Sequence, residues 1–256
     1  MISPTIKQCV ILAGGFGSRL SEETQLKPKP MVEVNGKPIL LRIMRHYSKF
    51  GVSEFIILAG YKADYIKKYF RDYYLEQNDI EVDLSSGKVN YLKKSDTPWK
   101  VTIVDTGFNT MTGGRLKRVQ DMLDPIFHFT YGDGVGNVDI DSLIKSHLTS
   151  EKIGTITAVQ PSGRFGALDI DESNTVTEFN EKPKGDGAWV NAGFMLLKSE
   201  VCDYIDDDTT VFENESLPLL VNKCELNAYF HRGFWQPMDT LRDKHALDEY
   251  FRILES

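Results

Sequence analysis

Gln8-Cys9-Val10-Ile11-Leu12-Ala13 runs into Gly14-Gly15-Phe16-Gly17-Ser18-Arg19-Leu20, and this junction decides the fold. A short apolar run bounded by glycine predicts a buried strand over 8–13. The glycines after it supply a sharp turn whose exposed N–H groups suit phosphate oxygens. Working outward, 38–50 places Ile39, Leu40, Ile43, Met44, Tyr47 and Phe50 at helical spacing, and Gly51 stops the helix. Strands are expected at 54–59 and 101–105, helices at 62–77 and 115–123. This repeated βα winding predicts a layered α/β, Rossmann-like fold with a mixed, mainly parallel sheet flanked by helices, in one domain over 1–256.

The run 126–131 ends at Gly132-Asp133-Gly134, which places a carboxylate at the carboxyl tip of a central strand, where open α/β sheets bind ligands. Further strands are expected at 153–160, 167–170, 175–179 and 189–197, extending the sheet and covering its mouth. A final helix is expected at 241–254, capped by Asp239 or Thr240 with Asp243 three positions after Thr240. The polar stretch 79–99 interrupts the winding and predicts a protruding hairpin or loop, a candidate oligomer contact.

Composition narrows the function classes. The chain has 256 residues, 41% hydrophobic and 26% charged, and no apolar run approaches the ~20 residues of a membrane span. The start, Met1 to Gln8, has no basic segment followed by an apolar stretch, so a cytoplasmic location is expected. Cys9, Cys202 and Cys224 are not spaced as metal ligands or a redox pair. A net charge of −7 argues against general nucleic-acid binding, so any phosphate site must be local.

The glycine turn lacks a third glycine where Leu20 stands, as a dinucleotide fingerprint requires, and lacks the Gly-Lys-Ser/Thr of a P-loop. By itself it reads either as a phosphate cradle or as a tight strand-to-helix turn. Ten positions after Arg19, Lys29 stands in Leu26-Lys27-Pro28-Lys29-Pro30-Met31, whose prolines forbid a continuous helix and are expected to hold the chain extended. Two cations are thereby brought toward one loop.

Leu12 to Leu20, with Lys27-Pro28-Lys29-Pro30-Met31-Val32-Glu33-Val34-Asn35-Gly36-Lys37-Pro38-Ile39, resembles the signature of sugar-1-phosphate nucleotidylyltransferases. Ser21-Glu22-Glu23-Thr24, Asp105-Thr106-Gly107, Met111-Thr112-Gly113-Gly114-Arg115, Tyr131-Gly132-Asp133-Gly134, Gly163-Arg164-Phe165-Gly166, Glu181-Lys182-Pro183 and Gln236-Pro237-Met238-Asp239-Thr240 resemble its glucose-1-phosphate cytidylyltransferase branch. Phe16, Ser18 and Ala192 stand where that pattern has leucine, threonine and glycine. The resemblance covers nearly the whole chain and implies a nucleotide-diphospho-sugar transferase fold.

What the resemblance implies is an enzyme that joins CTP to glucose 1-phosphate with Mg2+ and releases pyrophosphate, feeding deoxysugar and surface-polysaccharide (O-antigen) synthesis. Arg19 and Lys29 would meet the triphosphate and the departing pyrophosphate. Leu12, Ala13, Gly14, Gly15, Phe16, Gly17, Ser18, Thr110, Gly113, Gly114 and Arg115 would bind the nucleotide. Tyr131, Gly166, Glu181, Lys182 and Asn191 would bind the sugar phosphate, and Asp133 and Asp239 the metal. Similar enzymes are homo-oligomers, often hexamers, acting without nucleic acid or membrane. Several residues keep a second reading: Arg115, Lys117 and Arg118 as the solvated face of a helix, Glu181 and Lys182 as a surface ion pair, Asp239 as a helix cap, Trp189 and Trp235 as core. No nucleophile-and-base arrangement stands out among His46, His128, His147, His231 and His245. UTP or dTTP, another sugar phosphate, or a non-catalytic nucleotide-sugar binder are the alternatives.

Overall fold

A computed structural model describes residues 5–92, 97–161, 167–180 and 188–256. Its main sheet has seven strands: β1 (Gln8–Ala13), β2 (Glu54–Ala59), β3 (Lys100–Asp105), β4 (Ile126–Tyr131), β5 (Gly154–Val159), β6 (Val190–Lys198) and β7 (Leu226–Phe230). They lie in the order β7-β5-β6-β4-β1-β2-β3. β1 pairs in parallel with β2 and β4, β2 with β3, and β5 with β7. β6 runs antiparallel between β4 and β5, so the sheet is mixed and mainly parallel.

All six residues of β1 are buried because both faces of the sheet are covered. Period-two alternation sends Cys9 and Ile11 into one core and Val10 and Leu12 into the other. Helix α1 (Ile39–Ser48) presses Ile39, Leu40, Ile43, Met44 and Tyr47 onto the first face. It ends before Gly51, whose φ of 86° is open to glycine. α2 (Ala63–Glu76) follows β2, and α6 (Leu241–Leu254) closes the chain, with α4 (Ile140–Ser150) and α5 (Leu217–Asn222) between them.

Between 115 and 123 the chain departs from the expected continuous helix. α3 spans Thr112–Lys117, and a separate turn covers Gln120–Met122, because Val119 leaves helical dihedrals at φ −114°, ψ 12°. Leu116 and Val119 are still buried on the second face. The early start rests on the Gly113-Gly114 pair: a Cβ on Gly114 would stand 2.5 Å from Asp208 Cα. Within 79–99, Ile80–Asp83 and Lys88–Tyr91 pair antiparallel, and residues 93–96 lie outside the described residues.

Candidate active site

β1, β2, β3 and β4 end on one side of the sheet, and the turn after β1 rises there. Gly17 takes φ 65°, and a Cβ would meet Thr24 Cγ2 at 2.7 Å. The turn borders a cavity of about 590 Å³. Leu12, Ala13, Gly14, Gly15, Phe16, Gly17, Ser18, Arg19, Lys29, Thr110, Arg115, Tyr131 and Asp133 of the expected site line it.

Lys29 reaches this cavity by a route other than the expected extended chain. Pro28 is extended, but Lys29–Met31 closes a 3-10 turn in which the Met31 N–H bonds to the Pro28 carbonyl at 2.8 Å. Pro30 falls where a helical turn needs no N–H. The result is a largely buried lysine.

Two distant segments converge on that ammonium. Gly134–Gly136 pairs with Trp235–Pro237 in an antiparallel ribbon, and the Met238 N–H bonds to the Asp133 carbonyl at 2.9 Å. The ribbon sets Asp133 and Asp239 side by side. Lys29 Nζ donates to Asp133 Oδ2 at 2.6 Å and to Asp239 Oδ1 at 2.8 Å. Arg19 Nη1 donates to Asp239 Oδ2 at 2.8 Å with its side chain 75% exposed. Burial pulls the Lys29 pKa down, but the charge of Asp133 and the hydrogen bonds that the ammonium donates to both carboxylates outweigh it, and the net shift is upward. Lys29 is therefore a cation at any working pH.

The N-cap position that was Asp239's alternative role is taken by its neighbour. Thr240 is the N-cap of α6: its hydroxyl accepts from the Asp243 N–H, and Asp243 returns a bond to the Thr240 N–H. The Asp243 carboxylate also holds the Asp239 N–H at 3.1 Å, which steadies the loop while the Asp239 side chain faces the cations.

Two carboxylate oxygens within 2.8 Å of one nitrogen point to a common spot beside the cavity. A hard divalent cation, which takes one or two carboxylates and completes its shell with substrate oxygens and water, fits that donor set. Among the described residues no group of three or more His, Cys, Asp or Glu could hold a metal, so bound phosphate would have to supply ligands.

Arg115 is neither a solvated helix side chain nor a loose contact. Its guanidinium is buried and donates to the carbonyls of Ala59 at 3.1 Å, Gly107 at 2.8 Å and Gly14 at 3.2 Å, and to Thr106 Oγ1 at 2.7 Å. It ties together the tips of β1, β2 and β3 under the cavity, and burial lowers its pKa. Lys117 donates to the Cys202 carbonyl and is half-buried, while Arg118 pairs with Asp208 in solvent. Gly113 and Gly114 face the 208–210 backbone rather than the cavity.

Tyr131 and Asn191 meet at the other end: Asn191 Nδ2 lies 3.5 Å from the Tyr131 hydroxyl. Gly166, Glu181 and Lys182 lie outside the described residues. Trp189 packs edge-on against Phe230, and Trp235 donates to the Ala192 carbonyl at 2.8 Å; both border a separate cleft. The histidines carry no catalytic arrangement. His128 and His147 are buried with pKa values pushed down by burial to about 3 and about 4.

The cavity also holds residues that sequence reading passed over. Phe108 lines it beside Phe16, rings 4.7 Å apart and edge-on, both about half exposed. An aromatic in the polar loop after Asp105 was the available signal. Thr112 lines it too, and a hydroxyl ahead of a Gly-Gly pair at a helix start was its signal.

A mixed sheet with a glycine turn at its ligand edge, and paired carboxylates set under two cations, defines a protein of the nucleotide-diphospho-sugar transferase type. A nucleotidyl transferase family model matches residues 8–243. Glucose-1-phosphate cytidylyltransferase of Salmonella typhi is 53% identical over 243 residues, 94% of each chain. A probable glucose-1-phosphate cytidylyltransferase of Bacillus subtilis is 42% identical over 238 residues, 92% of each chain. Among solved structures, HddC from Yersinia pseudotuberculosis superposes with a TM-score of 0.69 at 27% identity, covering 96% of this chain and 100% of that one. UDP-glucose pyrophosphorylase complexed with UDP-glucose shares the fold at a TM-score of 0.68 and 13% identity, covering 96% of this chain and 98% of that one. The chain belongs to the nucleotidyl transferase family, and within it to the sugar-1-phosphate nucleotidylyltransferases.

Proposed function

We propose that this enzyme converts CTP and α-D-glucose 1-phosphate to CDP-glucose and pyrophosphate. The observation that carries the reading is the meeting of Lys29, Asp133, Asp239 and Arg19 at the cavity that also holds the glycine turn. The cytidylyl and glucose assignments rest on the relatives of Salmonella typhi and Bacillus subtilis, which carry those names over nearly their whole length.

In this reaction an oxygen of the sugar phosphate bonds to the α-phosphorus, the bond from that phosphorus to the bridging oxygen breaks, and pyrophosphate leaves with the electron pair. The attacking phosphate, with a second pKa of about 6, is largely dianionic at neutral pH and needs no protein base. Lys29 and Arg19 meet the charge that grows on the leaving group. N–H groups of the 14–18 turn hold the phosphates, while Phe16, Phe108, Thr110 and Arg115 border the base end. Asp133 and Asp239 would hold Mg2+, which when bound lets two anionic phosphates approach and stabilises charge at the α-phosphate. Tyr131 and Asn191, with Gly166, Glu181 and Lys182, take the sugar-phosphate end.

Exposed apolar residues of the 80–91 hairpin, including Val82 and Tyr91, support homo-oligomerisation, with a hexamer as the expected state. No helix among the described residues is long and apolar enough to cross a membrane; a cytoplasmic enzyme supplying activated sugar for surface polysaccharide fits the proposed product. The test is pyrophosphate release with Mg2+ across a grid of nucleoside triphosphates and sugar 1-phosphates. CTP with glucose 1-phosphate should give the highest kcat/KM, and release from no pair would overturn the reading.

A further inference from the structure

Glu213 lies outside every motif considered so far, yet its carboxylate joins the two ends of the cavity. It sits in a single π-turn, Phe212–Ser216, closed by the Leu217 N–H onto the Phe212 carbonyl. Such turns hold one residue more than an α-turn and are frequent at functional sites. Here the turn packs beside α3. Each carboxylate oxygen takes one hydroxyl: Tyr131 Oη donates to Oε1 at 2.6 Å, and Thr112 Oγ1 donates to Oε2 at 2.6 Å. Thr112 Oγ1 in turn accepts the Phe212 N–H at 2.9 Å, which closes a ring of bonds around the carboxylate.

The Tyr131 ring is fixed from behind as well. A Cβ on Gly193 would stand 2.3 Å from Tyr131 Cδ2, so the ring lies directly on a glycine whose φ is 80°. Asn191 Oδ1 accepts the Gly193 N–H at 2.8 Å, and so fixes the same loop.

Tyr131 leads directly into Gly132-Asp133, and Thr112 opens α3 two residues after Thr110. We propose that Glu213 is a positioning residue that fixes the nucleotide end of the cavity, through Thr112, relative to the Asp133 and sugar-phosphate end, through Tyr131. This rests on the proposed function, because two substrates must be brought to near-attack distance. A misplacement of about 1 Å costs on the order of 100-fold in rate. Glutamine at 213 keeps the shape but offers one acceptor oxygen and one amide. One hydroxyl then loses its acceptor, while Thr112 Oγ1 already accepts a backbone N–H.

The test uses the full-length enzyme with Glu213→Gln, Tyr131→Phe and the double variant. kcat and both KM values are read by pyrophosphate release, CTP affinity by equilibrium binding, and Tm by thermal unfolding. Glu213→Gln is expected to lower kcat about 10- to 100-fold, with CTP affinity within about threefold of wild type and a Tm lowered by only a few degrees. The losses in the double variant are expected to be less than multiplicative, because one of the two arms of Glu213 runs through Tyr131. A kcat within about threefold of wild type, losses that multiply in the double variant, or a kcat loss matched by unfolding would each overturn the positioning role and leave the proposed function standing. A wild-type enzyme that turns over no substrate pair would overturn both. Should Glu213→Gln fail to fold, Thr112→Val takes its place in the same cycle with Tyr131→Phe, under the same criteria.

Discussion

Replacing Lys29 by methionine keeps the aliphatic stem and removes the ammonium that joins Asp133 to Asp239, so it separates catalysis from stability. Two charged hydrogen bonds, at 2.6 and 2.8 Å, are lost. At about 1.5–3 kcal/mol each they bound the gross cost. The carboxylates are 35% and 21% exposed and regain water, which brings the net cost to about 1–3 kcal/mol. For a chain of this size that lowers Tm by about 2–4 °C per kcal/mol. Turnover should suffer more: a lost donor to developing oxyanion charge costs about 2.7–4 kcal/mol, or roughly 10²–10³ in kcat. Pyrophosphate release at saturating substrates gives the first number and thermal unfolding the second. Magnesium should restore part of the variant's Tm, because the two carboxylates no longer have an ammonium between them. A variant within about threefold of wild-type kcat would refute the role given to Lys29. So would a loss of activity that Mg2+ and CTP repair along with the Tm.

The two aspartates around the α6 start should respond in opposite ways. Asp239→Asn is expected to cut kcat by at least about 100-fold with little change in Tm, whereas Asp243→Ala should cost about 1 kcal/mol of stability through the lost capping box and less activity. Equal effects in steady-state and unfolding assays would refute that division. Arg115→Lys replaces a fork that meets four close acceptors with a single nitrogen. It should therefore lower Tm and raise KM for CTP more than KM for glucose 1-phosphate, and an unchanged CTP KM would count against its place at the base end. His128 is held neutral by burial, with its pKa pushed down to about 3. Below about pH 6.5 the unfolded chain binds a proton that the native one refuses, so stability falls as pH drops from there toward 3, by about 1.4 kcal/mol per pH unit. His128→Leu should remove about one proton from that slope in denaturant titrations at pH 6 to 4; an unchanged slope would show that His128 titrates normally in the fold.

How far the site was legible depends on the distance over which each part is assembled. The strand-glycine turn at 8–20 and helices at 39–48 and 241–254 are local, and period and punctuation reveal them. Asp133 at a strand tip is also local. Its partnership with Asp239 is not: it depends on a ribbon of three residues a side, Gly134–Gly136 with Trp235–Pro237, too short to leave a period in the sequence. The strand tip marked Asp133 and only family resemblance marked Asp239, and the ribbon supplies the physical reason they meet. Arg115 shows the opposite limit. Its charge and helical position suggested a solvent face or a ligand, but the strand tips beneath it gather the carbonyls of Gly14, Ala59 and Gly107 around its guanidinium, which no linear pattern records. Glu213 is a case with no sequence signal at all, its two hydroxyl partners standing about 80 and 100 positions away in the chain. Backbone carbonyls and buried hydroxyls must find partners wherever the fold ends its strands. At those ends a charged residue gains a role that is set by topology rather than by its neighbours in sequence. Substitutions at Arg115 should therefore perturb the nucleotide end of the cavity and those at Glu213 the alignment of its two ends, while substitutions at Arg19 should perturb the phosphates alone. A change in glucose 1-phosphate KM on Arg19→Ala, with CTP KM unmoved, would reverse that assignment.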